Sequence, residues 1–187
     1  MNPGIDDATL MSRVRLGDRE AFGQLVDRHK DGLVNYLTGL TRSRDRAEEL
    51  AQESFLRLYQ SSARYREQGQ FVPFLFRIAT NLLRSEERRA RRFRILSMKF
   101  SSNGHDPRPT PQAELLRVEA GERVAWALAE LPLKYRSPIM LREIEGWSYR
   151  EIASALGCQE GTVKSRINRG RERLRHLLSP YWNGAQG

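Results

Sequence analysis

The stretch from Ser97 to Pro111 constrains this chain most, because a helical pattern on either side of it gives way there. Ser101, Ser102, Asn103, Gly104, Pro107, Pro109 and Pro111 crowd the segment and apolar side chains are few. That composition belongs to a flexible, partly extended linker. It divides 187 residues, of which 39% are hydrophobic, into two pieces too small for one large core but sufficient for two modest ones. The expected organisation is an N-terminal domain over residues 5–94, a linker over 95–111 and a C-terminal domain over 112–180.

Both pieces read as helical. Apolar residues recur at three- and four-residue spacing and β-type alternation is scarce. Asp6 or Asp7 can cap a short helix carrying Leu10, Val14 and Leu16, ended by Gly17. Asp18 can cap the next, with Phe22, Leu25, Val26, Leu33, Leu37 and Leu40 as its buried stripe. A third helix runs from about Asp45 to Ser61 on Ala47, Leu50, Ala51, Ser54, Phe55 and Leu58. Polar residues from Arg64 to Gln70 interrupt the pattern, and a fourth helix starts near Phe71 and passes Arg91.

Beyond the linker, Leu115, Val118, Val124, Ala125, Leu128 and Leu131 form a stripe that Pro132 ends. Ser137-Pro138 is expected to open a helix carrying Ile139, Leu141 and Ile144, with proline in the first turn. Ser148-Tyr149-Arg150-Glu151 then has capping-box spacing ahead of Ile152, Ala153 and Leu156, and Gly157 is placed to end that helix. After Cys158 to Glu160 a last helix runs to about Leu178. The expected fold is therefore all-α.

Charge points to a polyanion. The formal net charge is +9, and the basic residues cluster: six of the eleven residues from Arg84 to Arg94 are arginine, and six of the twelve from Lys164 to Arg175 are Lys or Arg. Either cluster alone would also suit a solvated helix face. Cys158 is the sole cysteine, so an intrachain disulfide and a Cys-based zinc site are both excluded. Met1 to Leu10 lacks the apolar run of a signal peptide, and no stretch approaches a membrane span. A cytoplasmic protein with no membrane insertion is expected. His29, His105 and His176 are scattered without a carboxylate cluster or metal-ligand spacing, so no catalytic residue, metal or cofactor is expected.

Two short helices joined by a tight glycine-containing turn are what a helix-turn-helix requires. Val163 and Ile167, four apart, face the core. Thr162, Lys164, Ser165, Asn168 and Arg169 then project from the end that meets base edges in a major groove. Lys and Arg donate to guanine, Asn pairs with adenine, and Arg171, Arg173 and Arg175 can hold phosphates. In the other half, Tyr65, Phe71, Phe74 and Phe76 lie near Arg64, Arg66, Arg77 and Asn81. Aromatic faces stack on unpaired bases while arginines neutralise phosphate. The same aromatics suit core packing, Tyr65 and Asn81 being the better base contacts. On the third helix Glu48, Gln52 and Glu53 make an acidic, amide-bearing face.

Gly146-Trp-Ser-Tyr-Arg-Glu-Ile-Ala153 and Gly161-Thr-Val-Lys-Ser-Arg-Ile-Asn-Arg-Gly-Arg171 resemble region 4 of the extracytoplasmic-function (ECF, group IV) sigma factors of the sigma-70 family. Gly17 to Phe22 resembles the start of the family's region 2. Asp45-Arg-Ala-Glu-Glu-Leu-Ala-Gln-Glu-Ser-Phe-Leu56 resembles its core-binding helix, and Phe71 to Asn81 its −10 segment. Family members often carry Trp where Phe74 stands, and Pro73 precedes it here. The resemblance implies a region 2 helical bundle and a region 4 helix-turn-helix on a flexible linker, joining core RNA polymerase (β and β′ subunits) to promoter DNA, with an anti-sigma factor as a further partner.

By that resemblance Asp45, Glu48, Glu49, Gln52 and Glu53 bind core polymerase. Tyr65, Arg66, Gln68, Gln70, Arg77, Asn81, Arg84, Ser85 and Arg88 engage −10 DNA. Thr162, Lys164, Ser165, Arg166, Asn168, Arg169 and Arg173 read the −35 element. The alternative is a stand-alone helix-turn-helix regulator. A response regulator would need a phosphoacceptor α/β domain, for which no strand pattern exists.

Overall fold

The computed structural model describes residues 5–66, 70–100 and 120–182, and these contain helices and no strand. In the N-terminal half they are α1 (Asp7–Arg15), α2 (Arg19–Thr41), α3 (Arg44–Ser61), a 3-10 turn (Ser62–Arg64) and α4 (Phe71–Phe100). The C-terminal half holds α5 (Ala120–Glu130), α6 (Leu133–Glu143), α7 (Tyr149–Leu156) and α8 (Glu160–Trp182).

Side chains set the helix starts. Asp6 accepts from the Thr9 amide, Asp18 from Ala21 and Ser43 from Arg46, each satisfying a first-turn N–H that the helix leaves unpaired. Asp18 also receives Arg13 Nε at 2.8 Å, tying α1 to the cap of α2. The Ala21 amide, then Arg13, hold its carboxyl below the ordinary value. The stripe expected on α3 is the one that is buried, Ala47, Leu50, Ala51, Ser54, Phe55 and Leu58. Ser54 is accommodated because its hydroxyl donates to the Leu50 carbonyl at 2.6 Å.

Other expectations are corrected. Leu16 caps the end of α1 and is 89% exposed, because the turn at Gly17 (φ +91°) aims it outward. On α5, Val124 and Ala125 are exposed and the inward residue is Ala127, with Leu128 beside it and buried Leu131 just beyond the helix end. Arg123 lies over the Tyr181 ring at 5.2 Å, a contact between α5 and the end of α8. Leu115 and Val118 lie outside the described residues.

The helix expected to open at Ser137-Pro138 instead starts at Leu133, where the Pro132 carbonyl accepts from Tyr135 and Arg136 at 2.9 and 3.1 Å. Pro138 lies inside it and leaves the Lys134 carbonyl without its helical donor. Ile144, placed on the buried side from sequence, is 61% exposed. α4 continues to Phe100, so residues 95–100 of the expected linker are helical, and residues 101–119 lie outside the described residues. α8 extends past Leu178 to Trp182.

The two halves share one hydrophobic core. Buried residues of α1–α4 and of α6–α8 form a continuous cluster, while Leu131, Tyr135 and Ile139 form a smaller one with Leu174 and Leu177. Glycines permit two close crossings. A Cβ on Gly170 would stand 2.4 Å from Ile139 Cδ1, so α8 can press on α6 only without a side chain there. A Cβ on Gly39 of α2 would meet Met140 of α6 at 2.1 Å.

Candidate nucleic-acid and polymerase interfaces

The helix-turn-helix is built as its residues dictate. Ser148 accepts from the Glu151 amide, and the Glu151 carboxylate accepts from the Ser148 amide at 2.8 Å and hydroxyl at 2.6 Å. These bonds, the hydroxyl first, hold the Glu151 carboxyl below the usual range. Gly157 ends α7 in the left-handed region at φ +62°, with its amide bonded to the Ala153 and Ser154 carbonyls. Arg142 Nη1 reaches the Trp147 carbonyl at 2.7 Å and its guanidinium lies over Tyr149, fixing α6 to the entry of α7.

Val163 and Ile167 are fully buried, so α8 has one possible rotation about its axis. Lys164, Ser165, Asn168, Arg169 and Arg173 are exposed on the opposite side and Thr162 is half-buried. Arg166 turns back toward Cys158, Nη1 to Sγ 3.7 Å. Arg173 lies over the Tyr135 ring at 5.1 Å, and Arg171 pairs with Glu143 at 2.5 Å. The N-terminal half of α8 therefore presents Lys164, Ser165, Asn168 and Arg169 to solvent, while the two later arginines are braced against α6.

A second basic, aromatic site lies where the 3-10 turn meets α4. A cavity of about 430 Å³ is lined by Ser61, Arg64, Tyr65, Arg66, Gln70, Phe74, Arg77 and, from the other half, Ser154. Tyr65 is only 7% exposed and rests against Phe71 and Phe74, with centroids 6.4 and 5.1 Å away. Phe71 and Phe76 are core residues, as packing suggested; Tyr65 is as buried as they are and presents one side to the cavity. Asn81, Ser85 and Arg88 are exposed along α4. Ser85 donates to the Asn81 carbonyl at 2.8 Å and receives Arg88 at 3.2 Å. Arg84 is half-buried, and burial lowers its guanidinium from its ordinary value. Gln68 lies outside the described residues.

The acidic candidates share α3. Asp45, Glu49 and Gln52 are exposed, and Glu48 and Glu53 half-exposed. Glu48 pairs with Arg44 at 2.9 Å, Glu53 with Arg57 at 2.7 Å, and Glu49 with Arg46, which also binds Glu86 of α4. Pairs of this kind within one exposed helix turn are weak and yield readily to a partner. Leu56 was missed from sequence. It stands 50% exposed one turn beyond Gln52, an apolar anchor beside the acidic face. Its signal was its place off the buried stripe. Gly39 and Gly170 were missed as well, and their signal was a glycine inside a helical pattern.

Comparison with known proteins agrees with this arrangement. The profile of Sigma-70 region 2 matches residues 25–93 and that of Sigma-70, region 4 matches residues 122–174. The chain is 35% identical to the ECF RNA polymerase sigma-E factor of Haemophilus influenzae, covering 94% of this chain and 97% of that protein. It is 31% identical to the RNA polymerase sigma-H factor of Pseudomonas aeruginosa, covering 93% and 94%. Among solved structures, CnrH in complex with the cytosolic domain of CnrY superposes with a TM-score of 0.68 at 27% identity, covering 93% of this chain and 97% of CnrH. The sigma factor RpoE bound to the anti-sigma factor NepR from Bartonella quintana gives 0.66 at 26% identity, covering 84% and 96%.

Proposed function

The chain belongs to the ECF subfamily of sigma-70 factors, and from that premise we propose how its surfaces divide the work of initiation. It is a sigma factor that directs promoter-specific transcription with core RNA polymerase, rather than a stand-alone regulator. The observation that carries the assignment is the presence, on one chain aligned nearly end to end with its relatives, of an acidic α3 face and a basic α8 face.

The acidic face, Asp45, Glu48, Glu49, Gln52 and Glu53 with Leu56 beside it, docks on the polymerase. Its short-range ion pairs leave the carboxylates available, and Leu56 supplies apolar area. The cavity beside Tyr65 takes an unstacked −10 base. Arg64, Arg66 and Arg77 neutralise the adjacent phosphates, and Asn81, Ser85 and Arg88 follow the strand. Lys164, Ser165, Asn168 and Arg169 read −35 duplex from the major groove, with Arg173 on the backbone.

The chain contributes binding energy and no chemical step. Each captured base offsets part of an unstacking cost of about a few kcal/mol. Holding both DNA contacts on one chain raises the effective concentration of the second. The compartment is the cytoplasm, where the polymerase works, and no described helix is long and apolar enough to cross a membrane. An anti-sigma partner is proposed because the superposable CnrH is bound to CnrY and RpoE to NepR. Run-off transcription with core polymerase on a promoter library tests the assignment. Promoter-specific transcripts that depend on the chain are expected, and their absence would overturn it.

A further inference from the structure

α1 is fastened to α2 by two neighbouring residues, and one of them reaches further than the fastening requires. Asp6 spends its carboxylate on the cap of α1, accepting from the Thr9 amide at 2.7 Å, and the Asp7 carboxylate faces α2 instead. One Asp7 oxygen receives Arg28 Nη1 at 2.6 Å, and the other lies 2.9 Å from His29 Nε2. Arg28 Nη2 also donates to the Ile5 carbonyl at 2.8 Å. Arg28 thus holds the start of α1 with two bonds of its own.

His29 is the least exposed of the three, with 14% of its side chain accessible against 21% for Asp7 and 38% for Arg28. Its ring lies against the first residue of α4, 5.3 Å from the Phe71 centroid and tilted by 48°. Phe71 meets Tyr65 edge-on, and Tyr65 forms a wall of the basic cavity. α1 also packs against the 3-10 turn that carries Arg64, a second lining residue. The run from Asp7 through His29 and Phe71 to Tyr65 therefore reaches the cavity from its buried side.

Each joint of that run limits the next. An imidazole bonded through one ring nitrogen cannot turn without losing the bond. Tilted and edge-on aromatic pairs are favoured over stacked ones, so the pose of one ring restricts its neighbour's. Tyr65 follows the 3-10 turn and belongs to no helix, so its ring takes its pose from what it touches. A ring already in place yields its full stacking energy to an incoming base, whereas one ordered on binding gives part of it back. Resting on the base-capture reading of the cavity, we propose that His29 is a positioning residue for −10 recognition. Anchored by Asp7, it sets the Phe71–Tyr65 wall against which the unstacked base packs.

The full-length chain with 3-fluorotyrosine at its six tyrosines gives a fluorine resonance for Tyr65, assigned by its loss in Tyr65→Phe. His29→Gln keeps a hydrogen-bond donor for Asp7 and removes the ring. Arg28→Ala removes both of its fastening bonds and leaves the His29 ring intact. In the free chain His29→Gln should shift or split the Tyr65 resonance, and Arg28→Ala should not move it. Holoenzyme is then titrated with fork-junction DNA of a promoter recovered by run-off transcription, its unpaired −10 strand intact or abasic at one position at a time. The captured base is the one whose removal costs about five- to a hundredfold in affinity. His29→Gln should lower that ratio about two- to tenfold, the worth of one aromatic pair, and Arg28→Ala should preserve it.

A Tyr65 resonance unmoved by His29→Gln in a folded chain would overturn the proposal. So would equal losses in His29→Gln and Arg28→Ala, which would reduce His29 to a fastening of α1. A wild-type holoenzyme indifferent to every abasic position would sink the base-capture reading, and the positioning role with it. The fluorine spectrum needs no DNA, so it tells that failure from a failure of the His29 contact.

Discussion

Gly170→Ala, combined with Ile139→Val, tests whether the crossing of α8 over α6 is set by one methyl group. The added Cβ would stand 2.4 Å from Ile139 Cδ1, about an ångström inside contact, and 3.3 Å from Tyr135 Cβ, which cannot move without its backbone. Alanine gains about 1 kcal/mol of helix propensity over glycine, whereas forcing a methyl into a packed core costs about 1–3 kcal/mol. The single substitution should therefore destabilise by about 1 kcal/mol. Ile139→Val alone removes Cδ1 and should cost about 1 kcal/mol for the lost burial.

Together they should restore stability to within about 0.5 kcal/mol of the parent, because the alanine methyl fills the space that Cδ1 vacates and the propensity gain remains. The coupling is then about 2 kcal/mol in favour of the pair. Urea unfolding followed by tryptophan fluorescence measures it directly, since Trp126, Trp147 and Trp182 all lie in the C-terminal half. Additive losses, with the double variant about 2 kcal/mol below the parent, would refute the contact as the determinant of the crossing.

Other outcomes follow from the same geometry. Ser148→Ala removes the cap of α7 and should cost about 1 kcal/mol, measured by thermal melting. Glu151 has its carboxyl held below the ordinary 4.5, so its contribution is present above that value and is lost as pH falls through the lowered one. Glu151→Gln should accordingly flatten the acid side of the stability profile, and an unchanged acid limb would contradict the capping bond as its source.

Lys164→Ala should weaken duplex binding selectively at one base position. Arg173→Ala should weaken all sequences alike and reduce the salt slope by about one, besides losing its contact with Tyr135. Equal, sequence-independent losses for both would refute that division. Leu56→Glu should lower affinity for core polymerase about tenfold in a pull-down titration with little change in melting temperature, because the side chain is half exposed.

Much of this protein was legible without its tertiary structure. Helix starts at Asp18 and Ser148, the turn at Gly157 and the buried stripe of α3 are local matters, fixed by caps, backbone freedom and a 3.6-residue period. The rotation of α8 was equally readable, since Val163 and Ile167 leave only one side for Lys164 and Asn168. The resemblance in motif order then distinguished a sigma factor from other helix-turn-helix proteins.

Tertiary structure decided what those rules leave open. α5 turned Ala127 inward and set Arg123 over Tyr181, a partner nearly sixty residues away. α6 began at Leu133 because the Pro132 carbonyl was available to accept, which no apolar period records. Above all, the docking of the two halves rests on Gly39 beneath Met140 and on Arg84 at the end of α7. A chain's own period states which face of each helix is apolar. It does not state which distant face will cover it, because that choice depends on shape and charge matched between surfaces far apart in sequence.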